Sequence, residues 1–188
     1  MTKSASHIDD PLWKSIIEDA CGDFLRFFYP DIEKHVDFTK PFTFLDKEFE
    51  SLFPPEPRNL GVRFVDKLIK LFRSGGEQQY FLCHIEVQSN KGKGDLAERM
   101  FTYFYRIFDK YKVPITAIAI LVDPNHSYQP EIYKQEFLGT SLCYKFNSYK
   151  VIKQSEKNLR ANPNPFSVVM LTALKALKTK HLDDTQLM

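Results

Sequence analysis

The chain has 188 residues, of which 43% are hydrophobic and 27% charged, with a formal net charge of +2. That is an ordinary globular composition, and a chain of this length folds as one domain burying roughly 70% of its unfolded surface. It excludes a low-complexity chain, and no apolar run approaches the roughly 18 residues of a membrane span. Aromatic residues make up 14%, with seventeen Phe and nine Tyr, enough to fill a core. The three cysteines, Cys21, Cys83 and Cys143, are far apart and outside any C-x-x-C pattern, so they read as reduced thiols rather than a disulfide framework or a zinc knuckle. The first residues lack the apolar stretch of a signal peptide, and a cytoplasmic location is expected.

Asp9-Asp10-Pro11 opens a helix whose apolar residues Leu12, Ile16, Ile17, Ala20, Phe24 and Phe27 recur at helical spacing and stop before Tyr29-Pro30. A short strand is expected over 41–45 and a helical turn over 46–50, followed by a loop at the proline cluster 54–57. Two apolar runs follow, 62–72 and 79–88, joined by a segment containing Ser74-Gly75-Gly76, and they predict a β-hairpin. A turn centred on Gly76 sets residue 66 opposite residue 86, while a slip of one residue sends Asp66 to the other face. Asn90 to Gly94 is a loop, and Asp95 with Glu98 forms a capping box for a helix reaching Tyr111. Pro114 closes that helix, and the continuous apolar run 115–122 predicts a strand buried on both faces. Strand, helix and buried strand imply a parallel crossover. A loop carrying Tyr128, Pro130 and Tyr133 leads to β structure over 141–151, and Asn162-Pro163-Asn164-Pro165 precedes a helix over 166–178. A basic C-terminal region, with Lys145, Lys150, Lys153, Lys157, Arg160, Lys175, Lys178 and Lys180, suits either a solvated face or a polyanion partner.

The chemistry concentrates on the hairpin. His84, Glu86 and Gln88 alternate along one face of their strand, whereas Phe81, Cys83, Ile85 and Val87 form an apolar face. With Asp66 across from Glu86, two carboxylates on neighbouring strands repel unless a hard divalent cation or a proton intervenes. A bound Mg²⁺ or Mn²⁺ could activate water for phosphodiester hydrolysis, with Gln88 orienting the water or completing the ligand shell. Spacing alone equally allows a solvent-facing sheet surface with Lys67 and Lys70 as exposed partners. Arg99, Tyr103 and Arg106 fall on one stripe of the following helix, where the arginines could grip phosphate or pair with the acids.

Leu45-Asp46-Lys47-Glu48, the run from Arg63 to Lys70 (RFVDKLIK), His84-Ile85-Glu86-Val87-Gln88, Arg99-Met100-Phe101-x-Tyr103-x-Tyr105-Arg106-Ile107 and Asn164-Pro165-Phe166 occur in one order along the chain. This ordered set resembles the Rpn-type recombination-promoting nuclease and transposase family, a bacterial branch of the PD-(D/E)XK nuclease superfamily. The resemblance covers about Pro11 to about Lys180. It implies an α/β fold with a restriction-endonuclease-like core, a mixed sheet flanked by helices, and Mg²⁺- or Mn²⁺-dependent cleavage of DNA linked to recombination or transposition. By position it makes Asp66 and Glu86 metal ligands and catalytic acids, and it sets Gln88 where the superfamily usually has lysine. Glu18, with Asp19 as a substitute, becomes the further acid of the first helix. On a nuclease reading Arg99, Arg106 and Lys67 are expected to contact DNA phosphate, a homodimer is compatible with the chain, and no membrane association is expected. A nuclease-fold module that binds DNA or protein without cutting is the alternative.

Overall fold

The computed structural model describes residues 10–52, 65–75, 80–88 and 95–186, of which 10, 11, 49–51, 65, 66 and 180–186 are described by backbone alone. The proline cluster at 54–57, the turn centre at Gly76 and the loop at 90–94 lie outside the described residues. The fold is α/β: a five-stranded mixed sheet with helices against both faces. In chain order the elements are α1 (Asp10–Asp19), α2 (Cys21–Phe28), β1 (Thr43–Phe44), α3 (Asp46–Leu52), β2 (Val65–Phe72), β3 (Tyr80–Gln88), α4 (Leu96–Tyr111) and β4 (Ile115–Leu121). They continue with β5 (Ile132–Phe137), β6 (Thr140–Lys145), β7 (Asn147–Lys150), α5 (Glu156–Ala161) and α6 (Phe166–Gln186). The main sheet has the order β1-β2-β3-β4-β7, and β5 and β6 pair as a separate hairpin.

The hairpin register is the expected one, with Asp66 opposite Glu86 in an antiparallel ladder from Val65↔Val87 to Phe72↔Tyr80. β3 and β4 are parallel and joined through α4, and β7 adds in parallel to β4. On one face Cys83, Ile85 and Val87 of β3 and Ile118 and Ile120 of β4 meet Trp13, Ile17, Phe24, Leu25, Phe166, Met170 and Leu174 from α1, α2 and α6. On the other, Ala117, Ala119 and Leu121 meet Leu96, Ala97 and Met100 of α4 together with Phe146. β4 is thus apolar on both sides because both sides are covered.

Several elements differ from expectation: α6 runs to Gln186 rather than 178, the β structure expected over 141–151 divides between β6 and β7 in different sheets, and α5 is a helix absent from the expected set. The first helix is broken at Ala20, whose backbone (φ −115°, ψ 30°) leaves the helical region. Gly22 weakens the following turn by about 1 kcal/mol relative to alanine, yet the apolar stripe runs across the break, so periodicity alone reads straight through it. Residues 132–137, expected as loop, form β5. All but Tyr133 are exposed, which leaves no inside-outside alternation to read. The β5–β6 connection is the two-residue turn Leu138-Gly139 with φ of 45° and 81°, the primed geometry that matches strand twist; only its glycine signals a turn. α3 extends to Leu52, two residues beyond the expected turn.

Phe166 opens α6 and is fully buried among Phe24, Phe27 and Phe28, with ring centroids 5.2, 6.0 and 5.8 Å away. Truncating it removes the contact that ties α6 to α2. Phe166→Ala is therefore expected to cost about 3–5 kcal/mol in urea unfolding; a loss under about 1 kcal/mol would contradict this packing.

Candidate functional site

Glu86 and Gln88 lie on the α4 side of β3, 0% and 1% exposed. The alternative of a solvent-facing surface is thereby overturned: α4 crosses over these side chains. Asp95 caps α4 through its carboxylate, which accepts from Ala97 N–H at 2.9 Å, and this places Arg99 in the second turn over the strand. Arg99 Nη2 donates to Glu86 Oε1 at 2.7 Å and to Gln88 Oε1 at 2.8 Å. One guanidinium nitrogen therefore satisfies two oxygens from alternate residues of the strand.

The match continues along the elements. Tyr103 packs edge-on against His84, centroids 5.1 Å apart, and Ile107 joins Leu82 and Leu68 in one buried cluster. Four residues of helix advance about 6 Å and two of strand about 6.6 Å, so Arg99, Tyr103 and Ile107 keep step with Glu86, His84 and Leu82. Arg106 stands apart from this row. It is exposed, and its Nη1 donates to the Leu52 carbonyl at 2.9 Å, fastening α3 to α4.

Asp66 sits opposite Glu86 in the backbone register, and its side chain lies outside the described ones. Lys67 differs from its expected place at the surface. It is 1% exposed and ion-paired with Glu18 of α1 and Asp46 of α3. The cause is strand alternation: residue 67 shares a face with Ile69 and Leu71, which pack on the α1 side. With two of its three N–H donors on carboxylates and its side chain 1% exposed, the Lys67 ammonium is not presented to DNA. Glu18 is engaged on this α1 face and is not brought to Glu86, which faces α4. Asp19 is exposed and accepts a hydrogen bond from Ser15 Oγ.

Burial lowers the affinity of the Lys67 amine for its proton, but hydrogen bonds and attraction from Asp46 and Glu18 more than offset it, and the pKa is raised. Lys150 goes the other way. It is fully buried beside Asp123, 2.5 Å away, and burial outweighs that pairing, so its pKa is lowered. Lys150 thus leaves the basic surface the sequence suggested, whereas Lys153, Lys157, Arg160, Lys175 and Lys178 remain exposed. The thiols of Cys21 and Cys83 are buried and their pKa values are pushed up to about 12 by burial, so neither is a nucleophile near neutral pH.

The donor chemistry fits a hard cation. Glu86 Oε1 and Gln88 Oε1 converge on a single point that now holds a positive nitrogen, and carboxylate and amide oxygens are the ligands Mg²⁺ and Mn²⁺ prefer. Among the described residues no group of three or more His, Cys, Asp or Glu side chains forms a metal cluster; the second acid that the backbone register sets across from Glu86 is Asp66. The sequence missed the double use of Arg99, although its place one helical turn from Tyr103 was a usable signal.

Removing Arg99 leaves a buried carboxylate without this counter-charge. Arg99→Met is expected to lower stability by about 3–5 kcal/mol, with Arg99→Met/Glu86→Leu recovering most of it; a double variant no better than the single one would refute the coupling. The raised pKa of Lys67 means that its contribution is complete below its unfolded pKa of roughly 10.4 and is lost as pH rises through the folded value. From neutral pH, where both carboxylates are ionised, the stability gap between wild type and Lys67→Met should then be constant up to about pH 10 and shrink above it. A gap that widens with alkalinity would refute the assignment. No described helix is long and apolar enough to cross a membrane. No family model, curated protein or solved structure matches the chain.

Proposed function

We propose that the β2–β3 face is the site of a metal-dependent DNA endonuclease with a restriction-endonuclease-like core, acting in recombination or transposition. The observation that carries this reading is the convergence of Glu86 Oε1 and Gln88 Oε1 on one cationic point inside a covered sheet, with Asp66 across the ladder. Glu86 and Asp66 are the residues to hold Mg²⁺ or Mn²⁺, and Gln88 supplies a neutral oxygen or orients water. When bound, such an ion supplies an activated water and stabilises the charge that builds up at phosphorus. Gln88 brings no positive charge of its own, and Arg99 provides one at the tip of its side chain. Arg99, partly exposed, and Arg106 on the outer turn of α4 are the described candidates for backbone phosphate. Contacts of that kind give affinity with little sequence preference.

The occupied state of Glu86 favours a second reading, a nuclease-fold module that binds DNA or a protein without cutting. A carboxylate neutralised by Arg99 has a counter-ion already.

Plasmid nicking with and without Mn²⁺, measured together with calorimetric Mn²⁺ titration, separates the two. The nuclease reading expects metal-dependent nicking by the wild type and metal binding in the millimolar range or tighter. Asp66→Asn and Glu86→Ala should each reduce nicking by about 100-fold or more, and Asp66→Asn should also abolish Mn²⁺ binding with the circular dichroism spectrum unchanged. DNA binding with neither cleavage nor metal uptake would establish the second reading instead.

A further inference from the structure

β5 pairs with β6 along one edge, and among the described residues no strand pairs its other edge. Phe146 N–H donates to the Glu131 carbonyl, which sets the phase of this ladder. Residues 131, 133, 135 and 137 exchange hydrogen bonds with β6, while Ile132, Lys134 and Glu136 direct their backbone groups outward. The hairpin carries large apolar side chains into solvent: Ile132 is 43% exposed, Phe137 71% and Leu138 89%. A two-stranded sheet is marginal alone, and an open edge is a template for a further strand.

The sequence of that edge is self-complementary. Ile132-Tyr133-Lys134-Gln135-Glu136-Phe137-Leu138 reads apolar, apolar, plus, neutral, minus, apolar, apolar. Two copies laid antiparallel about a two-fold axis at Gln135 bring Lys134 opposite Glu136 of the second copy, twice by symmetry. Tyr133 then faces Phe137 of the second copy, and Ile132 comes level with the turn at Leu138. In this register Lys134 and Glu136 also meet in the hydrogen-bonded phase, with their outward N–H and C=O groups aligned. Shifting the axis to residue 134 sets lysine against lysine, and shifting it to 136 sets glutamate against glutamate. Parallel in-register pairing sets like against like at both positions. Opposite charges across a ladder are favourable and like charges unfavourable, so one arrangement is selected.

We propose that two copies of this chain associate through β5, antiparallel and centred on Gln135, to form a four-stranded sheet across a two-fold axis. An isologous contact of this kind closes on itself and stops at two copies. Six residues of edge make a contact below the size of a stable interface, and the dimer belongs to the weak, reversible class. The interface is independent of the β2–β3 site.

Sedimentation equilibrium of the full chain at concentrations on the order of 100 µM suits such an affinity. Wild type should show a monomer–dimer equilibrium, and Lys134→Glu or Glu136→Lys should each weaken it roughly tenfold or more by placing like charges in both symmetric pairs. The double swap Lys134→Glu/Glu136→Lys should restore it. A second measurement reads the register. With exposed Cys143 replaced by serine, Gln135→Cys should form an intermolecular disulfide, because directly opposed residues of a non-hydrogen-bonded pair lie about 4.5 Å apart. Lys157→Cys, at an exposed position of α5, is the background control. A monomer at all concentrations, a dimer indifferent to the charge reversals, or disulfide linkage of the Gln135→Cys variant no faster than that of the Lys157→Cys variant would each overturn the proposal.

Discussion

A carboxylate without access to water in the second strand of the hairpin, where the parallel crossover begins, has to be met by positive charge, and that requirement fixes the position of α4. Glu86 is fully buried, and an uncompensated ion there would cost several kcal/mol. Arg99 meets it from the second turn of α4. Once that turn is anchored, the near-equal advance of a helical turn and a strand pair carries Tyr103 onto His84 and Ile107 onto Leu82. One ion pair thereby sets the rotation and axial position of a 16-residue helix. α4 in turn delivers the chain to Pro114 and the start of β4 beside β3, with Leu82 paired to Ile115.

The same logic appears twice more, each time linking different elements. Lys67 of β2 draws in Glu18 of α1 and Asp46 of α3 on the opposite face. Lys150 at the end of β7 holds Asp123, just beyond β4. Gln88, Leu121 and Lys150 stand in one row where the three parallel strands end, so the Lys150–Asp123 pair closes the edge on which the Arg99 contact sits. Buried ion pairs add little net stability over apolar replacements. Each joins two or more elements, and an arrangement that separated the partners would leave a buried charge unpaired.

Much of this was legible in the sequence because alternation and helical period report on one-sided burial. The hairpin register followed from a turn centre, and the limits of α4 from an aspartate cap and a following proline. What stayed hidden was of two kinds. Charge burial is invisible to pattern: Lys67 and Lys150 sit in strands like any surface lysine, and only the folded chain shows carboxylates closing on them. Exposure hides strands as well. β5 has no buried face to produce alternation, so its identity comes from its partner β6. Glu18 illustrates the first kind, since its helix was clear while its attachment to Lys67 depended on which face of β2 turned toward α1.

Charge counting constrains how the proposed chemistry could operate. Glu86 and Arg99 together are neutral, so a divalent ion taking the place of the Arg99 nitrogen, with the guanidinium shifted but still close, would raise the local charge to roughly +2 unless other anions arrive. Asp66 contributes one negative charge across the ladder, and Gln88 contributes none. The remaining deficit is the charge of a phosphodiester. A site built in this way would bind metal weakly alone and more tightly with DNA present, because each ligand would supply the charge the other needs. Glutamine at position 88 then has a consequence of its own. A lysine there would add a further positive charge beside Arg99, whereas the amide lets one arginine serve both strand residues at once. Under the proposed function, the arginine that makes the buried acid tolerable would also make a metal and an anionic substrate depend on one another.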